Sequence, residues 1–326
     1  MKTIRWGILG CGRIAGAFVE ALPHAPGAEL VAVGSRTQLK ADEFGARHCV
    51  SHCHGSYSSL AADPNVDAIY IATPHPMHAA DSILCLENGK AILTEKPFTI
   101  NASEAGHVFQ AARSARLFAM EAHWSRFLPL MRELYRLLNE GIIGEPRMLQ
   151  ADFGFRAGFD PQGRLFDPAL GGGALLDVGC YCVSLAVMLF GSPSRITGLA
   201  DIGSTGIDEQ AAMVLGYSDG KLALLSTAVR TSTQQEAVIC GTQGRIHLHN
   251  PWWKLTAMTI HRDGKEPETV TMPVEGNGFS YEIVEAMECT RAGKLESDIM
   301  PHAETIEIMR IMDELRGQWG VKYPTE

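Results

Sequence analysis

The feature that most constrains the fold of this chain is a glycine-rich turn close to its start. The apolar run Ile4–Leu9 leads into residues 10–15 (GCGRIA), which open a helical pattern. Gly10, Gly12 and Ala15 fill the three small-residue positions of the G-x-G-x-x-G/A fingerprint. In a strand–turn–helix these positions allow a tight turn, close approach of a pyrophosphate and close packing of helix on strand. Because a helix N-terminus also offers free N–H groups to phosphates, the segment predicts a dinucleotide-binding domain.

The end of the second predicted strand, residues 29–34, indicates which dinucleotide is preferred. NAD-preferring domains carry an Asp or Glu near this point, which hydrogen-bonds to the ribose 2′-hydroxyl. Here the chain reads Ser35, Arg36 and Thr37, with no carboxylate. A guanidinium binds a 2′-phosphate by charge and paired hydrogen bonds, and the two hydroxyls are neutral donors. The sequence therefore predicts NADP(H) as the preferred cofactor and NAD(H) as a second one, unless Arg36 is only a solvated surface residue.

Strand and helix patterns alternate through the first 122 residues and then change. This alternation predicts an α/β fold, a Rossmann doubly wound parallel sheet over residues 1–122. From residue 123 to residue 326, period-2 segments separated by glycine turns predict an α+β domain with a large, mainly antiparallel open sheet. The first domain's predicted strands are residues 4–9, 29–34, 68–72, 91–94 and 117–120, and its predicted helices are residues 14–22, 39–44, 77–87 and 102–115.

Composition argues against several classes of partner. The 326 residues carry a formal net charge of −9, which disfavours nucleic-acid and membrane-surface partners. The apolar stretch 174–190 contains Asp177, so we interpret it as a buried helix rather than a membrane span. The start of the chain has no apolar leader pattern, and the eight cysteines are scattered rather than paired, so we expect a cytoplasmic protein.

A cluster of histidines and cysteines at residues 47–54 (RHCVSHCH) invites a metal-site interpretation. On a helix, His48 and His52 would lie four residues apart, as would Cys49 and Cys53, and that spacing can hold a metal. However, paired C-x-x-C ligand motifs are missing and no second cluster completes a four-ligand set. We therefore expect a loop and strand without a bound metal.

Three further segments carry candidate catalytic residues. Residues 73–78 (TPHPMH) and Glu95-Lys96-Pro97 both follow predicted strands, at the edge where open α/β sheets bind ligands. Lys96 is either a solvated turn residue or a positioned cation. In the second domain a glycine-rich loop, residues 171–173, enters a helix on which Asp177 and Tyr181 are four residues apart and share a face. The plain alternative is a buried tyrosine bonded to a nearby carboxylate.

These segments together resemble the glucose–fructose oxidoreductase / inositol dehydrogenase / MocA (Gfo/Idh/MocA) family of NAD(P)-dependent oxidoreductases, over essentially the whole chain. The resemblance rests on the GCGRIA turn, on Glu95-Lys96-Pro97 and on a D-x-G-x-[HY] pattern filled by Asp177, Gly179 and Tyr181. Residues 121–129 (EAHWSRFLP) and 293–297 (GKLES) are most similar to the branch that holds dimeric dihydrodiol dehydrogenases and NADP-dependent D-xylose dehydrogenases.

The resemblance implies that Lys96 and Tyr181 lie together at the substrate carbinol. Tyr181 would then be the general acid/base, Lys96 the cation that favours its phenolate, and Asp177 the residue that orients the pair. Which of Tyr181 and Lys96 transfers the proton stays open. The resemblance and the turn together assign the cofactor to Gly10, Cys11, Gly12, Arg13, Ile14, Ser35, Arg36, Thr37, Thr73, Pro74, His75, His78, Glu95, Lys96 and Trp124.

The expected function is hydride transfer between NADP(H) and a sugar or polyol carbinol, either at C1 of an aldose or on a trans-dihydrodiol. The alternatives are an NADPH-dependent keto-sugar reductase, an inositol-type dehydrogenase and, more remotely, a non-catalytic NADP-sensing regulator. Trp124, Trp252 and Phe279, with Trp253, are expected to wall the substrate pocket. By analogy with the family we expect the second domain, residues 123–326, to bind substrate and to mediate oligomerisation. We expect a homodimer, with a tetramer as the alternative.

Overall fold

The computed structural model describes residues 2–326, and the chain divides into two compact units. Unit 1 comprises residues up to Thr99 together with residues 103–124 and 275–305; unit 2 comprises residues 100–102, 125–274 and 306–326. A single boundary near residue 122 therefore does not describe the division, because a late segment of the chain returns to unit 1. Within that unit the Ala119 N–H donates to the Leu295 carbonyl (3.1 Å), and Thr305 Oγ1 donates to Glu121 Oε2 (3.0 Å).

Unit 1 is built on a six-stranded parallel sheet, with strand order β3-β2-β1-β4-β5-β6. The order reverses between β1 and β4, the place where open α/β sheets form a ligand crevice at the carboxyl ends of their strands. The predicted doubly wound class is thus confirmed. The strands are β1 Ile4–Leu9, β2 Ala28–Gly34, β3 His52–His54, β4 Ala68–Ile71, β5 Ala91–Glu95 and β6 Ala119–Ala122.

Helices connect these strands and cover the sheet. They are α1 Arg13–Ala21, α2 Gln38–His48, α3 Tyr57–Ala61, α4 His78–Glu87 and α5 Ala102–Ala115, with α8 Ser280–Arg291 from the returning segment. Every residue of the inner strands β4 and β5 is buried, as expected for strands that are covered on both faces, and the edge strand β6 is fully buried as well. The strand expected within residues 47–54 is present as β3, whereas the short helix α3 was not predicted, since five residues are too few to show a hydrophobic period.

Unit 2 contains an eight-stranded mixed sheet, with strand order β14-β13-β12-β11-β7-β10-β9-β8. Only the pair β7 and β10 is parallel, so the predicted mainly antiparallel sheet is confirmed. The strands are β7 Pro146–Gly154, β8 Arg195–Ile202, β9 Asp208–Gly216, β10 Leu222–Ala228, β11 Ala237–Gly241, β12 Gly244–Leu248, β13 Ala257–Arg262 and β14 Glu268–Thr271; the helices are α6 Pro129–Asn139, α7 Cys180–Phe190 and α9 His302–Trp319, whose first turn lies in unit 1.

One helical segment, Pro168–Phe190, is long and apolar enough by composition to cross a membrane. However, 83% of its most apolar window is buried inside the protein. It packs against β7 and β10 in the core of unit 2. This is the behaviour of a core helix, and it agrees with the buried helix expected there.

Candidate active site

The glycine-rich turn joins β1 to α1 as the fingerprint predicts. Gly10 has a φ of +104°, and a Cβ there would lie 2.8 Å from the Ala72 carbonyl oxygen, so the turn requires glycine at this position. At Gly12 a Cβ would meet no atom within 4 Å, which leaves room for a ligand to approach the backbone. Gly12 also precedes α1 without a side-chain cap, so the first N–H groups of Arg13 and Ile14 are available to a phosphate.

The carboxyl end of β2 presents cationic and hydroxyl groups. Ser35 is buried and its N–H donates to the His54 carbonyl at 3.0 Å, whereas Arg36 is exposed. Thr37 caps α2, because its Oγ1 accepts a hydrogen bond from the Lys40 N–H (3.4 Å). Lys40 is a cation that the sequence analysis did not single out, and it acts electrostatically on Cys11 in the glycine-rich turn. The edge therefore fits a 2′-phosphate, with two basic side chains near one turn.

The loop after β4 is fixed by buried polar contacts. Thr73 Oγ1 donates to Asp81 Oδ2 (2.8 Å), and burial raises the pKa of Asp81 to about 6 although this hydrogen bond lowers it. The ring nitrogens of His78 lie 2.9 Å from the Pro97 carbonyl and 2.8 Å from the Thr73 carbonyl. His78 is fully buried, so its role is to hold two loops together rather than to touch a cofactor directly. His75 lies next to it, with ring centroids 5.7 Å apart.

Buried carboxyl groups gather where β5 and β6 end. The Tyr70 hydroxyl donates to the Glu95 carboxylate, which also accepts the Lys96 backbone N–H at 3.2 Å. Glu282 on α8 is fully buried, and neither of its carboxyl oxygens has a hydrogen-bond partner among the described residues. Burial raises the pKa of Glu282 well above its usual value, and the nearby Glu95 and Glu121 raise it further. Neither carboxyl group was predicted as a site residue: Glu282 lies in no recognisable motif, and Glu121 only opens the segment 121–129 that carries the family resemblance.

Two of the proposed pocket aromatics lie together in unit 1. Trp124 lies two residues after β6, and Phe279 directly precedes α8. Their ring centroids are 5.2 Å apart, with an interplanar angle of 45°. Both side chains are largely buried, so they form a fixed aromatic pair rather than two mobile surface groups.

In unit 2 the candidate acid/base lies just after an irregular helical turn. Residues Leu175–Gly179 form one π-helical turn, and α7 begins at Cys180. π-Turns inside helices occur frequently at functional sites. Asp177 lies in the π-turn and Tyr181 lies in the first turn of α7. The Asp177 carboxylate binds Arg164 through two contacts, at 2.7 and 3.4 Å.

Arg164 is therefore a partner that the sequence analysis missed. It lies in a loop of no regular pattern, thirteen residues before Asp177. Its side chain is about half exposed, whereas that of Asp177 is 8% exposed. The orienting role predicted for Asp177 thus also involves Arg164, whose guanidinium contacts the Asp177 carboxylate and is about half exposed to solvent.

Aromatic rings surround Tyr181 within unit 2. The Phe153 ring lies 5.5 Å from the Tyr181 ring, and Trp253 stacks on Phe153 at 4.7 Å and 6°. Trp253 is partly exposed, so it can wall a pocket beside Tyr181. Trp252 does not share this position, because it is 1% exposed and its Nε1 donates to the Asp152 carbonyl at 2.8 Å. The structure therefore corrects the expectation for Trp252, which is a core anchor.

The glycine-rich loop before the π-turn packs on a buried carboxyl group. Gly173 has a φ of +120°, and a Cβ there would lie 2.5 Å from Asp208 Oδ1. Asp208 Oδ2 accepts the Leu175 N–H at 2.6 Å and so caps the start of the helical segment. Burial raises the pKa of Asp208 to about 7, although its backbone hydrogen bonds lower it. Asp208 is a second residue that no motif revealed, and it positions the segment that carries Asp177 and Tyr181.

Comparison with known families decides the class of protein. The profile described as "Oxidoreductase family, NAD-binding Rossmann fold" matches residues 4–123, and that of the GFO/IDH/MocA C-terminal domain matches residues 131–247. The chain belongs to the GFO/IDH/MocA family. It is thus an NAD(P)-dependent oxidoreductase, as the resemblance implied.

Curated relatives cover nearly the whole of this GFO/IDH/MocA chain. A protein of Xenopus tropicalis named trans-1,2-dihydrobenzene-1,2-diol dehydrogenase is 38% identical, over 98% of this chain and 99% of the relative. The Homo sapiens protein of the same name is 36% identical, over 99% of each chain.

Solved structures of other proteins are similar to this chain in fold. KijD10, a 3-ketoreductase from Actinomadura kijaniata in complex with TDP-benzene and NADP, is 25% identical, with a TM-score of 0.84 and 97% of each chain covered. An aldose-aldose oxidoreductase from Caulobacter crescentus is 23% identical, with a TM-score of 0.87 and 96% of each chain covered. The second likeness concerns the fold alone.

Proposed function

We propose that the protein is an NADP(H)-dependent dehydrogenase that oxidises a carbinol of a trans-dihydrodiol, or of an aldose at C1. The observation that carries this proposal is the 38% identity, over nearly the whole chain, to a relative named trans-1,2-dihydrobenzene-1,2-diol dehydrogenase. The stacked rings of Phe153 and Trp253 beside Tyr181 support it, since aromatic faces pack against flat apolar rings and against the C–H faces of sugars.

The cofactor preference rests on the carboxyl end of β2. Arg36 stands where NAD-preferring domains carry a carboxylate, and Lys40 adds a second positive charge near the turn. The NADP in the KijD10 complex supports the same preference. The glycine-rich turn, from Gly10 to the start of α1, is proposed to hold the pyrophosphate. Bound NADP⁺ supplies the hydride acceptor for the oxidation.

The proton chemistry is assigned to residues of this chain. A tyrosine hydroxyl is a poor base near neutrality because its ordinary pKa is about 10, and a nearby ammonium favours the phenolate. We assign Tyr181 to remove the carbinol proton and Lys96 to stabilise the phenolate and the developing alkoxide. Asp177, held by Arg164, is assigned to orient this machinery, and the Arg164–Asp177 pair keeps the Asp177 carboxylate in one orientation.

The main alternative reverses the direction of the reaction. The likeness to KijD10, named a 3-ketoreductase, favours an NADPH-dependent reductase of keto-sugars. An inositol-type dehydrogenase would use the same groups on a cyclic polyol. A non-catalytic NADP sensor would need neither Lys96 nor Tyr181, yet both are present.

A substrate panel tests the proposal. The purified protein is assayed with NADP⁺ and NAD⁺ against trans-dihydrodiols, aldoses and inositols, and with NADPH against keto-sugars. We expect the highest kcat/KM for a dihydrodiol or an aldose with NADP⁺. Faster turnover of keto-sugars would favour the reductase, and tight NADPH binding without turnover of any substrate would favour the sensor.

We also propose a homodimer formed through the sheet of unit 2. One face of that sheet holds an open groove of about 780 Å³ that is lined by residues of β7 to β11. Its side chains include Leu199, which is 83% exposed, with Val214 and Leu224 about 40% exposed. A contiguous apolar face of this kind marks an interaction surface. Light scattering coupled to gel filtration is expected to give twice the 35.4 kDa chain mass, and a monomer would contradict this proposal.

We propose a cytoplasmic location because the cysteines within residues 2–326 do not form disulfides. All eight are free thiols in the described residues. A reducing compartment keeps such thiols unpaired. Fractionation of the source cells tests this directly.

A further inference from the structure

The histidine-rich segment after α2 forms a side-chain cluster that the proposed reaction does not use. The helical spacing considered from the sequence does not occur, because α2 ends at His48 and β3 begins at His52. Cys53 turns away, and its thiol donates to the Val50 carbonyl at 3.5 Å. His52 and His54 are two residues apart on β3, so their side chains project from the same face of this strand.

Both imidazoles converge on one buried carboxylate, that of Asp63. His52 Nδ1 and His54 Nε2 each lie 2.9 Å from Asp63 Oδ2. The three ligand atoms lie within 4.8 Å of one another. The other oxygen, Asp63 Oδ1, accepts hydrogen bonds from the backbone N–H and the side-chain amide of Asn65, at 2.8 and 3.1 Å. Asn65 therefore orients the carboxylate, as outer partners of metal ligands do.

The surroundings hold Asp63 in place and leave one side of the cluster open. The Lys90 ammonium donates to the carbonyls of Asp63 and Val66 at 2.6 and 2.8 Å, so it fixes the backbone of this loop. The side chains of His52, His54 and Asp63 are 43%, 22% and 4% exposed. A cation would thus enter from the histidine side and rest against the buried carboxylate.

We propose that His52, His54 and Asp63 form a Zn²⁺-binding site in unit 1, with the fourth position open to water. Two imidazoles and one carboxylate are a typical three-ligand set for zinc. Ligands about 2.0–2.2 Å from a tetrahedral ion are separated by about 3.3 Å, so each 2.9 Å contact has to lengthen by only about 0.4 Å. The site is separate from the proposed reaction, and nothing in its assignment depends on that reaction.

The test uses the full chain, first treated with a chelator and then transferred to metal-free buffer. Zn²⁺ is titrated calorimetrically, and Co²⁺ is used as a spectroscopic substitute. We expect one saturable Zn²⁺ per chain, together with Co²⁺ d–d absorption that lacks a thiolate charge-transfer band and disappears when Zn²⁺ is added. The charge-transfer band distinguishes the ligands, because Co²⁺ bound by the neighbouring thiolates of Cys49 or Cys53 would produce it.

Substitutions locate the site. His52→Gln and His54→Gln should each lower the Zn²⁺ affinity about tenfold or more, and His52 is exposed enough for its variant to fold. The matched control is His247→Gln, which removes a histidine that stacks on His249 in unit 2 and should leave the affinity unchanged. A thiolate band, unchanged affinity in both β3 variants, or no saturable binding by the unaltered chain would each overturn the proposal.

Discussion

The ionisation of Asp208 should be visible directly in the pH dependence of stability. Its side chain is fully buried, and burial raises its pKa from the usual 3.8 to about 7. In the unfolded chain an aspartate keeps a pKa of about 3.9. Because the folded pKa is the higher one, the folded protein binds more protons than the unfolded chain between these two pH values. The free energy of unfolding therefore falls as the pH rises from 4 to 7 and is unaffected by this group above pH 7.

The size of the effect follows from the difference in pKa. One pKa unit corresponds to about 1.4 kcal/mol, so raising the pH from 5 to 8 should lower the free energy of unfolding by about 3 kcal/mol through Asp208 alone. Asp208→Asn cannot ionise, yet its amide oxygen can still accept the Leu175 N–H. Relative to the unaltered protein, this variant should therefore gain about 3 kcal/mol between pH 5 and pH 8.

The assay is equilibrium unfolding in urea, followed by circular dichroism at pH 5, 6, 7 and 8. Asp201→Asn, at an exposed position on β8, is the matched control and should show a difference that does not vary with pH. If the difference between the Asp208→Asn variant and the unaltered protein stays within about 1 kcal/mol over this range, Asp208 does not ionise in the folded protein as argued.

Three further predictions concern the cofactor, the reaction and the aromatic walls. Arg36→Ala should weaken NADPH binding about tenfold to hundredfold in a fluorescence titration, because it removes one charged hydrogen-bonding group. NADH binding should stay unchanged, and equal weakening of both would contradict the assigned role. Tyr181→Phe should lower kcat about 100-fold or more with NADPH affinity retained, and Lys96→Met should lower kcat by a similar factor; near-normal turnover in both would refute the assignment. Trp252→Ala should lower the free energy of unfolding by about 3–5 kcal/mol, whereas Trp253→Ala should mainly raise KM, as urea unfolding and steady-state kinetics would show.

The sequence predicted those parts of the fold that carry a periodic pattern. The GCGRIA turn, the long helix Ala102–Ala115 and the strand Ile4–Leu9 were predicted because their glycines and apolar residues follow local rules. The helix Tyr57–Ala61 was not predicted, since five residues are too few to show a hydrophobic period. Likewise, no local sequence pattern indicates that residues 275–305 belong to unit 1, because tertiary contacts determine which unit this segment packs in.

At the candidate site, too, residues that belong to sequence motifs could be predicted and residues that act through tertiary contacts could not. Lys96, Asp177 and Tyr181 belong to motifs and were found from the sequence. Arg164 and Asp208 were not predicted because each acts through a tertiary contact, 13 and 33 residues away in sequence, that no helix or strand period places. Trp252 and Trp253 are adjacent and identical in type, so only the structure separates the core residue from the partly exposed one.

The ligand-binding edge of unit 1 is fixed before any ligand arrives. The loops that follow β4 and β5 are held by buried polar contacts: His78 joins the two loops, and Tyr70 donates a hydrogen bond to Glu95. On β6, Thr305 does the same for Glu121. Such contacts reduce the conformational freedom that binding would otherwise remove, and this preorganisation strengthens affinity without any added contact to the ligand. Because these contacts are buried, they hold the backbone at the carboxyl ends of β4 and β5, and the strand β6, in one arrangement without a ligand.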